Sequence, residues 1–255
     1  MSNHNPTGRF SNRVADYVRY RPRYPARVLE TLIAECGLTP ASVIADIGSG
    51  TGFSAEMFLK NGNTLYGVEP NAAMRAAGEQ VLAGYPNFIS LDGSAEATGL
   101  ADHSIDFVVA GQAFHWFDRS RARAEFSRIL KPVGWAVLFW NTRLTDSSPF
   151  MADYEALLQR FSRDYNEVYH TNIGDDVLSA FFANGQYAQR AFANPYMLDF
   201  EQLLGRTLSA SYMPSADDPA YPEVQAALQR LFAAYQVDGL ICYEYVTELY
   251  FGHLA

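Results

Sequence analysis

Residues Val43–Phe53 read VIADIGSGTGF, in which a short apolar run leads directly into three glycines spaced two residues apart. Such a run is typical of a strand buried in a parallel sheet. Glycines directly after the strand let the backbone turn sharply and approach a ligand closely. The stretch therefore predicts the first strand of an α/β sheet and a ligand-binding loop at its carboxyl end.

Short apolar runs alternate with longer amphipathic segments from Val43 to about Asn141. The runs read VIADI, TLYGVE, FISLD, IDFVVA and WAVLFW. Strands that alternate with helices form parallel βαβ units, and right-handed crossovers place the helices on both faces of one sheet. We therefore predict a doubly wound α/β fold.

The pattern changes after Asn141. Periodicity there predicts helices at about Met151–Tyr169, Asp175–Phe182 and Pro222–Tyr235, and a final strand at Leu240–Phe251. The sequence contains no repeat or low-complexity tract that would divide it. We interpret residues 1–255 as one domain.

The composition limits the classes of partner. The 255 residues carry a formal net charge of -9, whereas a general electrostatic grip on nucleic acid or on an anionic membrane needs a basic surface. Cys36 and Cys242 are the only cysteines, and neither has a neighbour at metal-binding spacing. No apolar run approaches the roughly 20 residues that cross a bilayer. We expect a cytoplasmic monomer or homodimer that acts on a small molecule, with no metal, nucleic-acid or membrane partner.

Arginines are frequent near the beginning of the chain. They could belong to a transit peptide, to a solvated helix face or to a segment that recognises an anion, and the tyrosines and prolines between them weaken the first interpretation. A solvated face is favoured. The six arginines are Arg9, Arg13, Arg19, Arg21, Arg23 and Arg27.

The glycine loop lacks the residues of two common phosphate-binding motifs. Phe53 stands where the dinucleotide fingerprint GxGxxG needs its third glycine, and no lysine followed by Ser or Thr completes a P-loop. Asp46, just before the loop, would repel a diphosphate and would attract a cationic or zwitterionic ligand. The loop therefore favours a ligand with a positive group near the backbone.

Glu69 ends the second predicted strand. An acidic side chain at this distance from the glycine loop accepts hydrogen bonds from a ribose diol in nucleoside-binding α/β folds. Glu69 could instead be an ordinary acid at the start of a helix, where the helix dipole favours it. Together with the loop, the ribose interpretation is favoured.

Four motifs carry a family resemblance: VIADIGSGTG, VEP at Val68–Pro70, GSAEATGL at Gly93–Leu100 and IDFVVAGQAFHWFD at Ile105–Asp118. They resemble those of class I S-adenosylmethionine-dependent methyltransferases. The segment VRYRPRYP at Val18–Pro25 resembles more narrowly the small-molecule enzymes of methyltransferase type 11, trans-aconitate methyltransferase-like. The resemblance implies a Rossmann-like, mostly parallel sheet of seven strands with an inserted helical substrate cover. It implies lid helices in about 1–40, a cofactor-binding half in 41–141, and the cover with the last strands in 142–255.

The resemblance also implies where S-adenosylmethionine, and its product S-adenosylhomocysteine, would bind. Asp46 and the loop backbone would hold the methionine part, Glu69 the ribose, and Ser94 with Ala95 the adenine edge. Many relatives carry an aspartate at the position of Ser94, whose uncharged hydroxyl is a weaker acceptor. The expected cofactor-binding residues are Tyr17, Arg21, Asp46, Gly48, Ser49, Gly50, Glu69, Pro70, Ser94, Ala95, Gly111 and Gln112.

Methyl transfer from a sulfonium mainly requires alignment of the acceptor and exclusion of water. A general base is needed only when the acceptor arrives protonated, so His115 is a conditional catalytic candidate; a structural role, in which it bonds a backbone carbonyl, is favoured. Tyr20, Trp116 and Trp140 are the candidate substrate contacts.

We expect an S-adenosylmethionine-dependent methyltransferase that acts on a small organic molecule, at a carboxylate or hydroxyl oxygen. The arginine-rich lid slightly favours an acidic substrate. Two alternatives stay open: a nicotinamide-dependent oxidoreductase of Rossmann type, and a cofactor-binding or regulatory protein without catalysis.

Overall fold

The computed structural model describes residues 19–162, 173–210, 212–214 and 217–255. Its main sheet begins with five parallel strands, each ending at the same edge. They are β1 Val43–Ile47, β2 Thr64–Val68, β3 Phe88–Leu91, β4 Ile105–Gly111 and β5 Leu130–Arg143.

In the described part of the chain, four helices connect or precede these strands: α1 Ala26–Cys36, α2 Phe53–Lys60, α3 Ala72–Val81 and α4 Arg119–Ile129. A short 3₁₀ turn, Phe114–Trp116, lies between β4 and α4. Side chains alternate across β1, where Ala45 and Ile47 join the core on one face and Ile44 the core on the other. Helices cover both faces of the sheet, as the sequence predicts.

The sheet has seven strands in the order β3-β2-β1-β4-β5-β9-β6. The two further strands are β6 Ala188–Ala193 and β9 Tyr245–Gly252, and β9 is antiparallel to both of its neighbours. The strand order reverses between β1 and β4, which is where open α/β sheets bind ligands. The predicted doubly wound, mostly parallel fold is confirmed.

A second set of elements, which we term the cap, has its own apolar core built around Tyr154, Leu203 and Leu228. It comprises the helices α5 Pro149–Phe161, α7 Phe200–Leu208 and α8 Tyr221–Tyr235, and a two-stranded antiparallel sheet of β7 Tyr196–Leu198 and β8 Ile241–Tyr243. The remaining helix, α6 Asp175–Phe181, packs Phe181 against the main-sheet core.

The predicted strand Leu240–Phe251 is wrong as a single element. It divides at Glu244 into β8, which belongs to the cap, and β9, which belongs to the main sheet. The Glu244 carboxylate accepts hydrogen bonds from the hydroxyls of Ser147 and Ser148, at 3.0 and 2.7 Å, ahead of α5. These bonds hold the chain where it passes from one sheet to the other.

The helix predicted at Met151–Tyr169 corresponds to α5, and its residues 163–169 lie outside the described part of the chain. Three elements are absent from the sequence prediction: β6, β7 and α7. β6 is an edge strand with few buried side chains, so it lacks the apolar alternation that marks a strand. Across the described ranges, none of the helices is long and apolar enough to span a bilayer.

Candidate cofactor-binding site

The glycine loop follows β1 at the point where the strand order reverses. The amide groups of Gly48 and Ser49 both donate to the carbonyl oxygen of Val68, at 2.8 and 3.2 Å, which fixes the loop against the end of β2. Gly48 has φ +71°, and a Cβ there would lie 2.6 Å from the Cβ of Ala113. Only glycine fits this turn without displacing its neighbours.

Glu69 lies directly after β2 and braces the loop. Its Oε2 accepts a hydrogen bond from the Gly50 amide at 3.0 Å, and its Oε1 accepts one from the Asn71 amide at 2.8 Å. Burial raises the pKa of Glu69, and the two backbone hydrogen bonds oppose that rise. An ionised carboxylate offers about four acceptor positions, so each oxygen of Glu69 has capacity for a further donor.

The Glu69 carboxylate faces a cleft of about 880 Å³ along the carboxyl ends of β1, β2 and β4. The structure brings nine of the predicted residues to its wall: Gly48, Gly50, Glu69, Pro70, Ser94, Ala95, Gly111, Gln112 and Trp116. Asn71, Met74, Glu96, Ala113 and Phe117 complete the lining.

A second cavity, of about 440 Å³, lies on the other side of the loop. Predicted residues Arg21 and Ser49 line it, together with Tyr24 and Asn141. Four residues line both cavities: Gly48, Gly50, Gly111 and Gln112. The two cavities therefore share a wall, formed by the glycine loop and the end of β4.

Gln112 forms part of this wall in an unusual backbone conformation. Its φ is +56°, in the left-handed region that non-glycine residues seldom occupy. Its amide donates to the carbonyl oxygen of Phe139 at 3.0 Å, and its Nε2 donates to that of Asn141 at 3.1 Å. Two bonds to β5 thus hold a strained residue, as is common at functional sites.

Asp46 lies beneath the loop, fully buried, and does not line either cavity. Its Oδ2 accepts a hydrogen bond from the Ser54 hydroxyl at 2.6 Å, while its Oδ1 is buried without a hydrogen-bond partner among the described residues. Burial raises the pKa of Asp46 to about 7, and the Ser54 hydrogen bond opposes the rise. A cationic group close to the loop would favour the ionised form.

Ser94 lies at the predicted adenine end, in a turn closed by reciprocal backbone hydrogen bonds between Ser94 and Ala97. Its Oγ accepts a bond from the Glu96 amide at 3.3 Å. The Glu96 carboxylate in turn accepts one from the Asp118 amide at 2.9 Å. These contacts connect the turn to the segment that carries Trp116.

Asn141 is a residue of the site that the sequence analysis does not include. Its Nδ2 donates to the carbonyl oxygens of Pro22 and Arg23, at 3.4 and 3.3 Å. Its Oδ1 accepts from Thr247 Oγ1 at 2.6 Å and from Asn194 Nδ2 at 3.1 Å. The amide thus ties the segment before α1 to the carboxyl edge of the sheet. The only available signal was its place at the end of an apolar run.

Besides Asp46, three predicted residues of the described chain line neither cavity: Tyr20, His115 and Trp140. Tyr17 lies outside the described residues. Tyr20 packs its ring against Gly205 of α7, and Trp140 is buried in the sheet core against Phe114 and Tyr250. The His115 ring lies beside that of Trp116 on the 3₁₀ turn, with centroids 4.7 Å apart and the planes tilted by 46°. In the described ranges, His, Cys, Asp and Glu form no group of three or more suited to a metal ion.

Comparisons with known proteins show which family this chain resembles. Residues 45–138 match the model of the methyltransferase domain family. An uncharacterized methyltransferase of Geobacillus thermodenitrificans is 30% identical over 165 residues, which cover 62% of this chain and 73% of the relative. An uncharacterized methyltransferase-like protein of Schizosaccharomyces pombe is 33% identical over 156 residues, 61% of this chain and 59% of that protein. The matched stretch thus spans little more than half of the yeast relative.

Solved structures share the fold. A proposed type II methyltransferase from Anaeromyxobacter dehalogenans superposes with a TM-score of 0.67 at 22% identity, over 92% of this chain and 98% of that one. The YcgJ protein of Bacillus subtilis superposes with a TM-score of 0.54 at 18% identity, over 90% of this chain and 99% of that one. Family model and relatives agree, and the chain belongs to the methyltransferase domain family.

Proposed function

We propose that the protein transfers a methyl group from S-adenosylmethionine to an oxygen atom of a small organic molecule. The observation that carries the proposal is the position of Glu69, which braces the glycine loop and faces the larger cleft. A carboxylate at the end of the second strand, beside such a loop, is placed to accept hydrogen bonds from a ribose diol.

The residues around the larger cleft and beneath the glycine loop fit this donor in three respects. Glu69 has acceptor capacity for the ribose hydroxyls. Asp46 lies beneath the loop with no hydrogen-bond partner for its Oδ1 among the described residues, so a cationic ligand group near the loop would favour its ionised form. Met74 and Phe117 supply apolar walls suited to a flat ring, next to the hydroxyl of Ser94.

S-adenosylmethionine supplies an electrophilic methyl group on a sulfonium. The protein has to align the acceptor with that group and exclude water, and alignment of this kind can supply roughly 7 to 11 kcal/mol. Gly111 and Gln112 line both cavities, so we place the transfer point beside them. The space beside Gly111 is narrow and has no room for a larger residue, because a Cβ there would lie 2.7 Å from Phe139 and 2.8 Å from the hydroxyl oxygen of Tyr24.

The position of His115 favours an acceptor that needs no general base. His115 does not line either cavity in the described part of the chain. A carboxylate arrives deprotonated, whereas an alcohol requires a base within hydrogen-bond reach. A carboxylate oxygen therefore agrees better with this arrangement than a hydroxyl, and His115 is assigned the structural role.

The test is a calorimetric titration of the purified protein with S-adenosylhomocysteine, and with NAD as a matched dinucleotide. We expect saturable binding of the first and none of the second. Binding of NAD alone would point to a nicotinamide-dependent oxidoreductase, and binding of neither by folded protein would overturn the proposal.

A transfer assay then separates an enzyme from a silent binding protein. Labelled S-adenosylmethionine is incubated with the protein and a panel of acids, phenols and amines. We expect labelled ester from at least one acid. Tight binding of S-adenosylhomocysteine without a labelled product from any compound would assign the chain to cofactor binding without catalysis.

A further inference from the structure

Three arginines from distant parts of the chain converge where the cap meets the carboxyl edge of the main sheet. Arg21 precedes α1, Arg143 ends β5 and Arg206 lies on α7. All three charges act on the phenol of Tyr212, whose pKa burial raises to about 12 and the arginines lower. The three guanidinium groups therefore lie within electrostatic reach of one phenol.

Arg206 lies inside a shell of tyrosines. Its Nη1 donates to the carbonyl oxygen of Tyr20 at 2.5 Å, and its Nη2 donates to the hydroxyl of Tyr245. The guanidinium carbon lies 4.8 Å from the ring centroid of Tyr245 and 5.5 Å from that of Tyr243. Burial lowers the pKa of Arg206, and the positive charge of Arg21 contributes to that lowering.

One arginine of the cluster has a carboxylate partner in the cap, whereas Arg206 has none among the described residues. Arg143 pairs with Glu155 of α5, and its guanidinium lies 5.5 Å from the ring centroid of Tyr154. Arg206 forms no ion pair with any described residue, although burial without a countercharge is costly for a guanidinium. An anion at this place would reduce the cost and would accept from guanidinium N–H groups that do not already donate to Tyr20 and Tyr245.

Arg21 connects the cluster to the smaller cavity, whose lining does not include Arg143 or Arg206. Arg21 lines that cavity, and its Nη2 donates to the carbonyl oxygen of Ser209, at the end of the helix that carries Arg206. The cavity shares the wall of Gly111 and Gln112 with the larger cleft. A molecule whose charged end contacts the arginines can therefore extend towards the proposed transfer point.

We propose that Arg206 and Arg21, with Arg143 behind them, form a binding site for an oxyanion group of the substrate, so that the cap selects small organic anions. The acceptor oxygen and the recognised oxyanion are then separate groups of one molecule. This inference rests on the proposed methyl transfer for its substrate, but the anion site is open to a direct binding measurement.

The alternative is that Arg206 only fastens the cap to the N-terminal segment through Tyr20. A purely structural arginine would affect stability, but it would give the protein no preference between an acid and its uncharged amide. Matched probes therefore separate the two roles: succinate against succinamide, benzoate against benzamide, and phenyl phosphate as a second kind of oxyanion.

The experiment is calorimetric titration of the full chain with each probe, after separate measurement of S-adenosylhomocysteine binding. We expect at least tenfold tighter binding of an anion than of its amide, with affinity that falls as salt is added. Preferential binding of the carboxylates or of phenyl phosphate supports the site. The class that binds more tightly identifies the oxyanion that the site recognises. Equal binding of acids and amides, or of no anion at all, overturns it. Failure of S-adenosylhomocysteine to bind would instead count against the proposed function.

Variants sharpen the result. Arg206→Gln should weaken anion binding at least tenfold and leave S-adenosylhomocysteine affinity within twofold. Arg160→Gln is the matched control, because Arg160 is an exposed arginine of α5 that pairs with Glu223; it should change neither affinity. Arg206→Lys keeps the positive charge but lacks the planar guanidinium, and it replaces the glutamine variant in the test if that variant does not fold. Unchanged anion binding in a folded Arg206 variant would contradict the proposal.

Discussion

The glycine loop and the arginine cluster meet at the same cavity, but they are assembled over very different separations in the sequence. Gly50 and the Glu69 carboxylate that it contacts are 19 residues apart. Arg21 and Ser209, at the other side, are 188 residues apart. The loop is built largely by backbone geometry, and the cluster by charged and aromatic side chains. A compact motif can be recognised in a sequence, whereas a cluster of this kind becomes visible only in the fold.

The first prediction concerns the buried charge under the loop. Between its ordinary pKa of 3.8 and about 7, folded Asp46 keeps a proton that the unfolded chain has lost, so stability falls as the pH rises through this range. Relative to Asp46→Asn, the wild type should lose on the order of 4 kcal/mol between pH 4 and pH 8. Denaturant unfolding of both proteins across this range measures the difference. A stability difference between the two proteins that does not vary with pH would contradict the raised pKa of Asp46.

The second prediction tests whether the loop depends on backbone geometry. Gly48→Ala places a Cβ 2.6 Å from Ala113 at a positive φ, and should lower the free energy of unfolding by about 3 kcal/mol. S-adenosylhomocysteine binding should weaken with it. Gly84→Ala is the matched control, since a Cβ at Gly84 has nothing within 4 Å. Equal stability of the two variants in denaturant would contradict the packing argument.

The third prediction separates the loop from the cap by ligand. Glu69→Gln replaces an acceptor-only carboxylate by an amide, and should weaken S-adenosylhomocysteine binding by about 2 kcal/mol, roughly 30-fold. Anion probes at the arginine cluster should bind as before. Glu79→Gln, at a carboxylate that accepts an exposed hydrogen bond from the Ser90 hydroxyl, should leave the affinity unchanged. Calorimetry decides, and an unaltered affinity in Glu69→Gln would exclude the ribose assignment.

The smallest expected effect lies in the cap. Tyr154→Phe removes a buried hydrogen bond of 2.9 Å between the tyrosine hydroxyl and Thr207 Oγ1, and should destabilise the protein by about 1 kcal/mol. Tyr235→Phe removes a surface bond to Asp153 and should cost less than about 0.5 kcal/mol. Neither change should affect S-adenosylhomocysteine binding. A large loss of that binding in Tyr154→Phe would show that loop and cap are energetically coupled.

The sequence predicts the parallel half of the molecule because each feature there is local. The apolar run at Val43, the glycines after it and Glu69 at the end of the next run are each recognisable within a few residues, and strand order then brings them together. Asn141 was missed because its partners come from three separate segments of the chain. β6 was missed because an exposed edge strand carries no apolar alternation.

In α7, by contrast, a local signal was present and was not used. Asp199 caps the helix, and its side chain and that of Gln202 form reciprocal bonds with each other's backbone amides. An Asp followed three residues later by Gln is a recognised sign of a helix start. The Asp199 and Gln202 pair therefore predicts the start of α7, the helix that carries Arg206. The convergence of Arg206 with Arg21 and Arg143 would still have required the tertiary structure.

The position of β9 has a consequence for the order of folding. β9 lies between β5 and β6, so β6 joins the main sheet only through β9. The contact between β9 and β5 joins residues that are 106 positions apart in the sequence, Thr142 and Glu248. Pairings over such separations form slowly, because the entropy of the intervening chain must be lost first. Until β9 pairs, β5 presents an open, apolar strand edge of the kind that recruits other chains. We therefore expect aggregation during refolding to depend on how fast Tyr245–Gly252 pairs with β5.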